Sequence, residues 1–368
     1  MLSYQKQQLK AGAEMLNTDV DNGCGVIFRL VLLVLLLLAS AASGHVPLLP
    51  EGNDNISSAE YIADPEKSWA VYSELSPGEA EYYSFDIQKG DKKGDRIYLS
   101  LLSTADPEED GFEPDMVLLG PGLGAEGDLP DYVKLPEGYG FIAIQGNRAN
   151  AATYEPFGPS SYYQQAELDI SAPESGRYYA VVYDNRNQSG EHNSEHNSGH
   201  YSLAVGYIEE YSFTERIITP LMLISVYLWE GQRLITIITP WMVAALLGIF
   251  AILRNPRRTP FFSTGIMAGF LFLGTSASVL TQMIFNLTRA PAGSEVGISM
   301  FLALLPAVLG VAAVRLARGE AGIIQRSLMA VIGTVGLLAG SGFIIGPLLA
   351  VMASVLPSRR GQRETANK

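Results

Sequence analysis

Glu215 to Arg258 reads ERIITPLMLISVYLWEGQRLITIITPWMVAALLGIFAILRNPRR, and this stretch divides the chain. The sequence before it is acidic and rich in tyrosine, whereas the sequence after it is a series of apolar blocks. Leu234 to Leu253 carries no charge and matches the roughly 20 helical residues that cross the hydrocarbon core of a bilayer. Arg254, Arg257 and Arg258 close it, as suits a cytoplasmic end. Just upstream, Thr219-Pro220 reads as an N-cap followed by proline at the first helical position. The apolar run from Ile217 to Trp229 is too short to span. It predicts a helix lying in the interface, with Tyr227 and Trp229 at headgroup depth; half of a re-entrant hairpin is the alternative.

The net charge of −13 over 368 residues conceals an asymmetry. His45 to Ser212 holds 30 acidic and 9 basic residues, a balance of −21, and Phe213 to Lys368 holds 13 basic and 5 acidic, a balance of +8. An acidic front half repels polyanions, which argues against nucleic acid as a partner. A basic-ended rear half suits anionic headgroups, so the lipid bilayer is the expected partner. Cys24 is the single cysteine, so no intrachain disulfide is available, and the front half must fold on its hydrophobic core alone. Arg29, the apolar run from Leu30 to Ala42 and the small residues around Ala39-Ser40-Ala41 have a signal-peptide layout, cleaved or kept as an anchor.

These features divide the chain into a leader (1–44), an extracytoplasmic domain (45–212), an interfacial helix or linker (213–232), a transmembrane helical domain (233–357) and a basic tail (358–368). In the second, short alternating runs are separated by Gly, Pro, Asp and Asn clusters. Tyr83, Phe85 and Ile87 share a face, as do Ile97, Leu99 and Leu101; Tyr179, Val181 and Tyr183; and, in His200–Ile208, Tyr201, Leu203, Val205 and Tyr207. Period two with aromatic and β-branched residues means half-buried antiparallel strands. Further strands are expected in Ser68–Leu75, Met116–Leu119, Phe141–Gln145 and Gln164–Ile170. About eight strands argue for an all-β sandwich of jelly-roll type, followed by an all-α multi-span region.

Two segments carry a family resemblance. Pro173, Ser175, Gly176, Tyr178 and Val182, followed by Gly199, Tyr201, Leu203 and Val205, are similar to the closing strands of pre-peptidase C-terminal (PPC-like) domains of bacteria and archaea. Glu79–Ile87 followed by Asp95–Leu101 resembles the opening hairpin of the same family. The resemblance implies a β-sandwich ectodomain of a prokaryotic, archaeal-type membrane protein, an accessory binding or assembly module rather than an enzyme. FEPDMVLLGPGLG and YEPFGPSSYY depart from the family core.

Three features could carry chemistry. DPEEDGFEPD offers Asp106, Glu108, Asp110 and Asp115 as hard oxygen ligands for calcium, although Val117 stands where a calcium loop needs a bidentate Glu; a solvated acidic loop is the alternative. EHNSEHNSGH spaces His192, His196 and His200 four apart, as a transition-metal site on a helix would, but the tandem repeat also suits an expanded hairpin loop. Tyr154, Phe157, Tyr162 and Tyr163 offer an amphipathic surface for glycans or envelope proteins, or anchor their loop onto the sandwich. Asn55 and Asn187 head candidate glycosylation sequons, and a third begins at Asn286. No G-x-S-x-G, H-E-x-x-H or phosphate-binding loop occurs, so no catalytic residue and no required cofactor is expected.

The blocks Phe261–Leu287, Gly297–Ala317 and Ser327–Leu356 follow the first span. Alternating them across the membrane puts Arg254–Arg258 and Arg315–Arg326 on the cytoplasmic side and residues 45–212 outside a plasma membrane. The last block, interrupted by Gly340, Gly342, Gly346 and Pro347, is read as a fourth span, with two short legs as the alternative. Ser276, Ser278, Thr281 and Gln282 give the second span a polar patch suited to interhelical hydrogen bonds. A surface protein displaying a sandwich is the leading reading, and a transporter or channel subunit with the sandwich as a cap is the second.

Overall fold

The computed structural model describes residues 45–90, 94–184, 198–256 and 258–357. The described residues belong to one compact unit; the expected leader, His192, His196 and Asn187 lie outside the described residues. The front half folds into two six-stranded sheets. The first contains β1 (Val46–Leu48), β3 (Trp69–Leu75), β12 (Gly199–Val205), β5 (Arg96–Thr104), β10 (Ser160–Ser171) and β9 (Thr153–Glu155), in that spatial order. The second contains β2 (Glu60–Tyr61), β4 (Ala80–Ile87), β11 (Gly176–Tyr183), β6 (Asp115–Gly120), β8 (Gly140–Ile144) and β7 (Ala125–Glu126). The eight longer central strands pair antiparallel, whereas the short edge strands β1, β2 and β7 add in parallel.

Period-two patterning accounts for this arrangement. Tyr83, Phe85, Leu99, Leu101, Tyr201 and Leu203 all point into the space between the sheets and are essentially inaccessible to water. Burying each such side chain contributes about 1.5–3 kcal/mol. Tyr179, Val181 and Tyr183 face the other way, where the 121–139 connection folds over the second sheet with Leu129 and Val133. Inside the core, the Tyr83 and Tyr201 hydroxyls meet at 2.5 Å and Tyr201 donates to Glu81 at 2.5 Å, so the buried phenols are satisfied across the two sheets.

The rear half is helical: α1 (Phe213–Trp229), α2 (Leu234–Arg254), α3 (Pro260–Leu287), α4 (Val296–Arg318), α5 (Ile323–Leu338) and α6 (Ile345–Val355). α2, α3 and α4 are long and apolar enough to cross a membrane. Two expectations need correction. α1 begins at Phe213 and not at Pro220. Ser212 and Glu215 form a reciprocal capping box, and Glu215 also pairs with Lys67 at 2.5 Å, so the start is fixed upstream and Pro220 lies inside the helix. The final block is also not one continuous helix. Gly340 and Gly342 take positive φ, as do Phe343 and Ile344, and α5 and α6 fold into a hairpin.

Both ends of this hairpin lie at the same end of the bundle. Arg326 donates to the Ser354 carbonyl at 2.9 Å, and Phe261 N–H, at the start of α3, donates to the Pro357 carbonyl at 3.3 Å. α6 is roughly 16 Å long at 1.5 Å per residue, about half of the hydrocarbon core. Small residues let the backbones approach. A Cβ on Gly269 would lie 2.8 Å from the Gly310 carbonyl oxygen on α4, and one on Gly336 would enter the Phe272 ring at 2.4 Å.

Candidate functional site: the junction between sandwich and helices

The concentration of buried polar groups lies where the first sheet meets the helices. The turn Glu230–Arg233 between α1 and α2 supplies its centre. Gly231 holds φ +79°, and a Cβ there would lie 1.7 Å from the Asp106 carboxylate, so only glycine lets the turn pass that close. The turn is held by Trp229, whose indole N–H reaches the Ser73 and Tyr201 carbonyls at 3.0 and 3.2 Å while its ring meets Tyr72 edge-on at 5.0 Å. Tyr227 and Trp229 are buried against protein.

Beside the turn, β10 and the end of α3 interlock. Asn286 is fully buried; its amide donates to the Pro159 carbonyl at 2.8 Å and its oxygen accepts from Ser161 at 2.7 Å. That leaves the side chain of the third sequon inside the protein. Ser299 on α4 donates to the Pro156 carbonyl at 2.7 Å and accepts from Tyr154 at 2.6 Å. Gln232 donates to Glu230 at 2.9 Å and to Gln282 at 2.6 Å, while its own carbonyl oxygen is buried without a partner. The polar patch of the second span thus reaches the turn through Gln282.

Glu230 is completely buried, and its carboxyl receives the Ser160 hydroxyl and the Gln232 amide, both neutral donors. Arg289 donates to the Glu230 backbone carbonyl at 2.8 Å, and its guanidinium approaches the Asp106 carboxylate at 3.6 Å. Burial pushes the Glu230 carboxyl up to about 7, against the opposing pull of its hydrogen bonds and of Arg289.

The residues singled out from sequence are dispersed around this junction. Asp106 caps the short 3-10 turn Pro107–Glu109 and faces Arg289. Glu108 lies in that turn, Asp110 pairs with Arg148 at 2.6 Å, and Asp115 accepts from Gly146 N–H at 2.7 Å. Burial raises Asp115 to about 6. His200 sits on β12, with Glu109 on its Nδ1 and Glu74 3.9 Å from its Nε2. Among the described residues, no three His, Cys, Asp or Glu side chains are grouped so as to hold a metal ion. Of the aromatic group, Tyr154 is buried at the junction and Phe157 is 36% exposed. Tyr162 accompanies Tyr154 on the β9–β10 pair, and Tyr163 lies under the Arg148 guanidinium at 3.7 Å. Asn55 is exposed, and its side-chain oxygen caps the turn at Ile56.

Sequence reasoning missed Glu230, Asn286 as an anchor and Arg289. The available signal was a charged residue, Glu230, flanked by apolar runs on both sides, and an Asn and an Arg at the end of a span. No protein-family model matches this chain, and no curated protein is similar to it at a significant level.

Proposed function

We propose that this is a multi-pass plasma-membrane protein that holds a PPC-like, jelly-roll sandwich outside the cell as a rigid platform for a ligand or envelope partner. The observation that carries this reading is the one-sided docking. The helices engage β1, β3, β9, β10 and β12, all strands of the first sheet, which leaves the second sheet, with the 121–139 connection folded over part of its outer face, for display. On that face Arg177 holds Asp86 through two bonds of 2.9 and 3.0 Å and stacks on Tyr61, which is 47% exposed. Tyr139 and Tyr179 lie close by, with ring centroids 6.2 Å apart. An exposed tyrosine beside a charged pair, with two half-buried rings next to it, suits a glycan or a polar protein surface.

The spatial order β3-β12-β5-β10 facing β4-β11-β6-β8 supports the jelly-roll reading, since it is what two nested Greek keys produce. The outward placement is supported by Arg315, Arg318 and Arg326, at the end of the bundle remote from the sandwich. The test is protease treatment of intact cells, followed by cross-linking to envelope components with the full chain and with Tyr61→Ala/Arg177→Ala. Shaving of the front half, and loss of cross-links in the variant, are expected. A front half protected until lysis refutes the placement, and unchanged cross-linking refutes the platform.

A second reading, a transporter or channel subunit, is favoured by one observation. Thr275, Ser278, Gln282 and Asn286 form a stripe on one face of α3, and Thr275 accepts from Gly342 N–H at the hairpin tip at 2.9 Å. Beyond the tip the bundle is closed by Phe261, Ile266 and Phe272, so the platform reading is preferred. Solute flux through the reconstituted full chain would reverse that preference.

A further inference from the structure

We propose that the junction binds one proton on Glu230, and that this proton latches the sandwich onto the helices. Charge and geometry carry the inference. Two carboxylates, Glu230 and Asp106, and one guanidinium, Arg289, are buried or nearly buried together. Arg289 is committed to Asp106 and to a backbone carbonyl, so the direct donors to the Glu230 carboxyl are neutral, the Ser160 hydroxyl and the side-chain amides of Gln232 and Asn286. A fully buried carboxylate with neutral partners alone is far costlier than the neutral acid.

The other titratable groups facing Glu230 do not relieve this cost. Tyr72 on β3 and Tyr227 on α1 are themselves buried and are raised well above the ordinary phenol range by burial first and by the Glu230 charge second. Deprotonating Glu230 therefore leaves a negative charge that Arg289, shared with Asp106, offsets only in part, inside a contact made by Trp229, Ser160, Ser161 and Asn286. The contact can shed it by opening to water. The neighbouring Gln232 carbonyl oxygen, buried without a partner, gives water a second reason to enter.

The direction follows from linkage. The docked state holds the proton up to about pH 7, whereas an exposed Glu loses it near its ordinary 4.5. Docking is strongest at low pH, weakens as pH rises between those values and is level above. The full interval corresponds to a change on the order of 300-fold in the opening equilibrium.

The experiment is hydrogen exchange of the full chain in phosphatidylcholine/phosphatidylglycerol nanodiscs from pH 4.5 to 8.5, corrected for intrinsic exchange, reading peptides over Trp229–Arg233 and Tyr154–Ser161. Corrected exchange should rise towards pH 7 and then level, and Glu230→Gln should stay protected throughout. Ser160→Ala removes a hydrogen bond that favours the carboxylate, and should move the midpoint to higher pH. A flat wild-type profile, or Glu230→Gln following the wild type, overturns the proposal. Should Glu230→Gln fail to fold, an unshifted midpoint in Ser160→Ala overturns it equally.

Discussion

Replacing Trp229 by alanine should release the sandwich from the helices while leaving both folded. The indole is buried, packs edge-on against Tyr72 and shares its N–H between the Ser73 and Tyr201 carbonyls. Truncating a buried tryptophan costs about 3–5 kcal/mol. Phenylalanine keeps a ring in the same hole and forfeits chiefly the N–H, a net loss of about 1 kcal/mol. At ~1.4 kcal/mol per tenfold, the alanine variant should open at least ~100-fold more often and the phenylalanine variant about 5-fold. Hydrogen exchange on the purified full chain, read over β3 and β12 with β4 and β11 as the internal control, measures both. Alanine exchange equal to wild type, or phenylalanine as damaging as alanine, would refute the assignment of Trp229 as the pin.

Four further outcomes are expected. Gly231→Ala should destabilise the junction by about 1–2 kcal/mol from backbone strain alone, and by more once Asp106 is displaced; a thermal scan of the full chain in detergent that shows no loss would contradict this. Arg289→Met should cost about 3–5 kcal/mol by stranding Asp106, and Asp106→Asn in the same chain should recover part of it, as a double-mutant cycle would reveal. Because burial raises Asp115 in the folded state, sandwich stability should fall as pH rises from about 4 to about 6, by at most about 3 kcal/mol, and level above; Asp115→Asn should flatten that slope in denaturant titrations. A reporter enzyme fused after Lys368 should be active only in the cytoplasm, because the hairpin brings Pro357 back to the end at which α3 begins.

Much of the sandwich could be read directly from the residues. All eight strands expected from alternation form, because each carries a run such as Tyr83-Phe85-Ile87 whose burial is decided locally. The four strands not anticipated, β1, β2, β7 and β9, are two or three residues long and exist only as edge additions, so they leave no periodic signal. Thr219-Pro220 misled because a strong local pattern competed with a better one, the Ser212–Glu215 box seven residues upstream. The junction was least legible. Asp106, Ser160, Glu230, Asn286 and Ser299 come from five separate segments, and what unites them is the packing of one half on the other. The candidate carboxylates were correctly seen as dense in sequence, yet Asp106, Asp110 and Asp115 each have a different partner in space.

The short hairpin has a consequence for how the molecule is made. Neither leg is long enough to cross the hydrocarbon core by itself, since helices of 16 and 11 residues leave terminal carbonyls and amides stranded in hydrocarbon. Its seat exists only after α3 and α4 have come together, with Phe272 offering the surface that Gly336 and Gly342 press against. Assembly is therefore expected to run in a fixed order, with the C-terminal helices entering last, as a wedge into a slot their predecessors have already built.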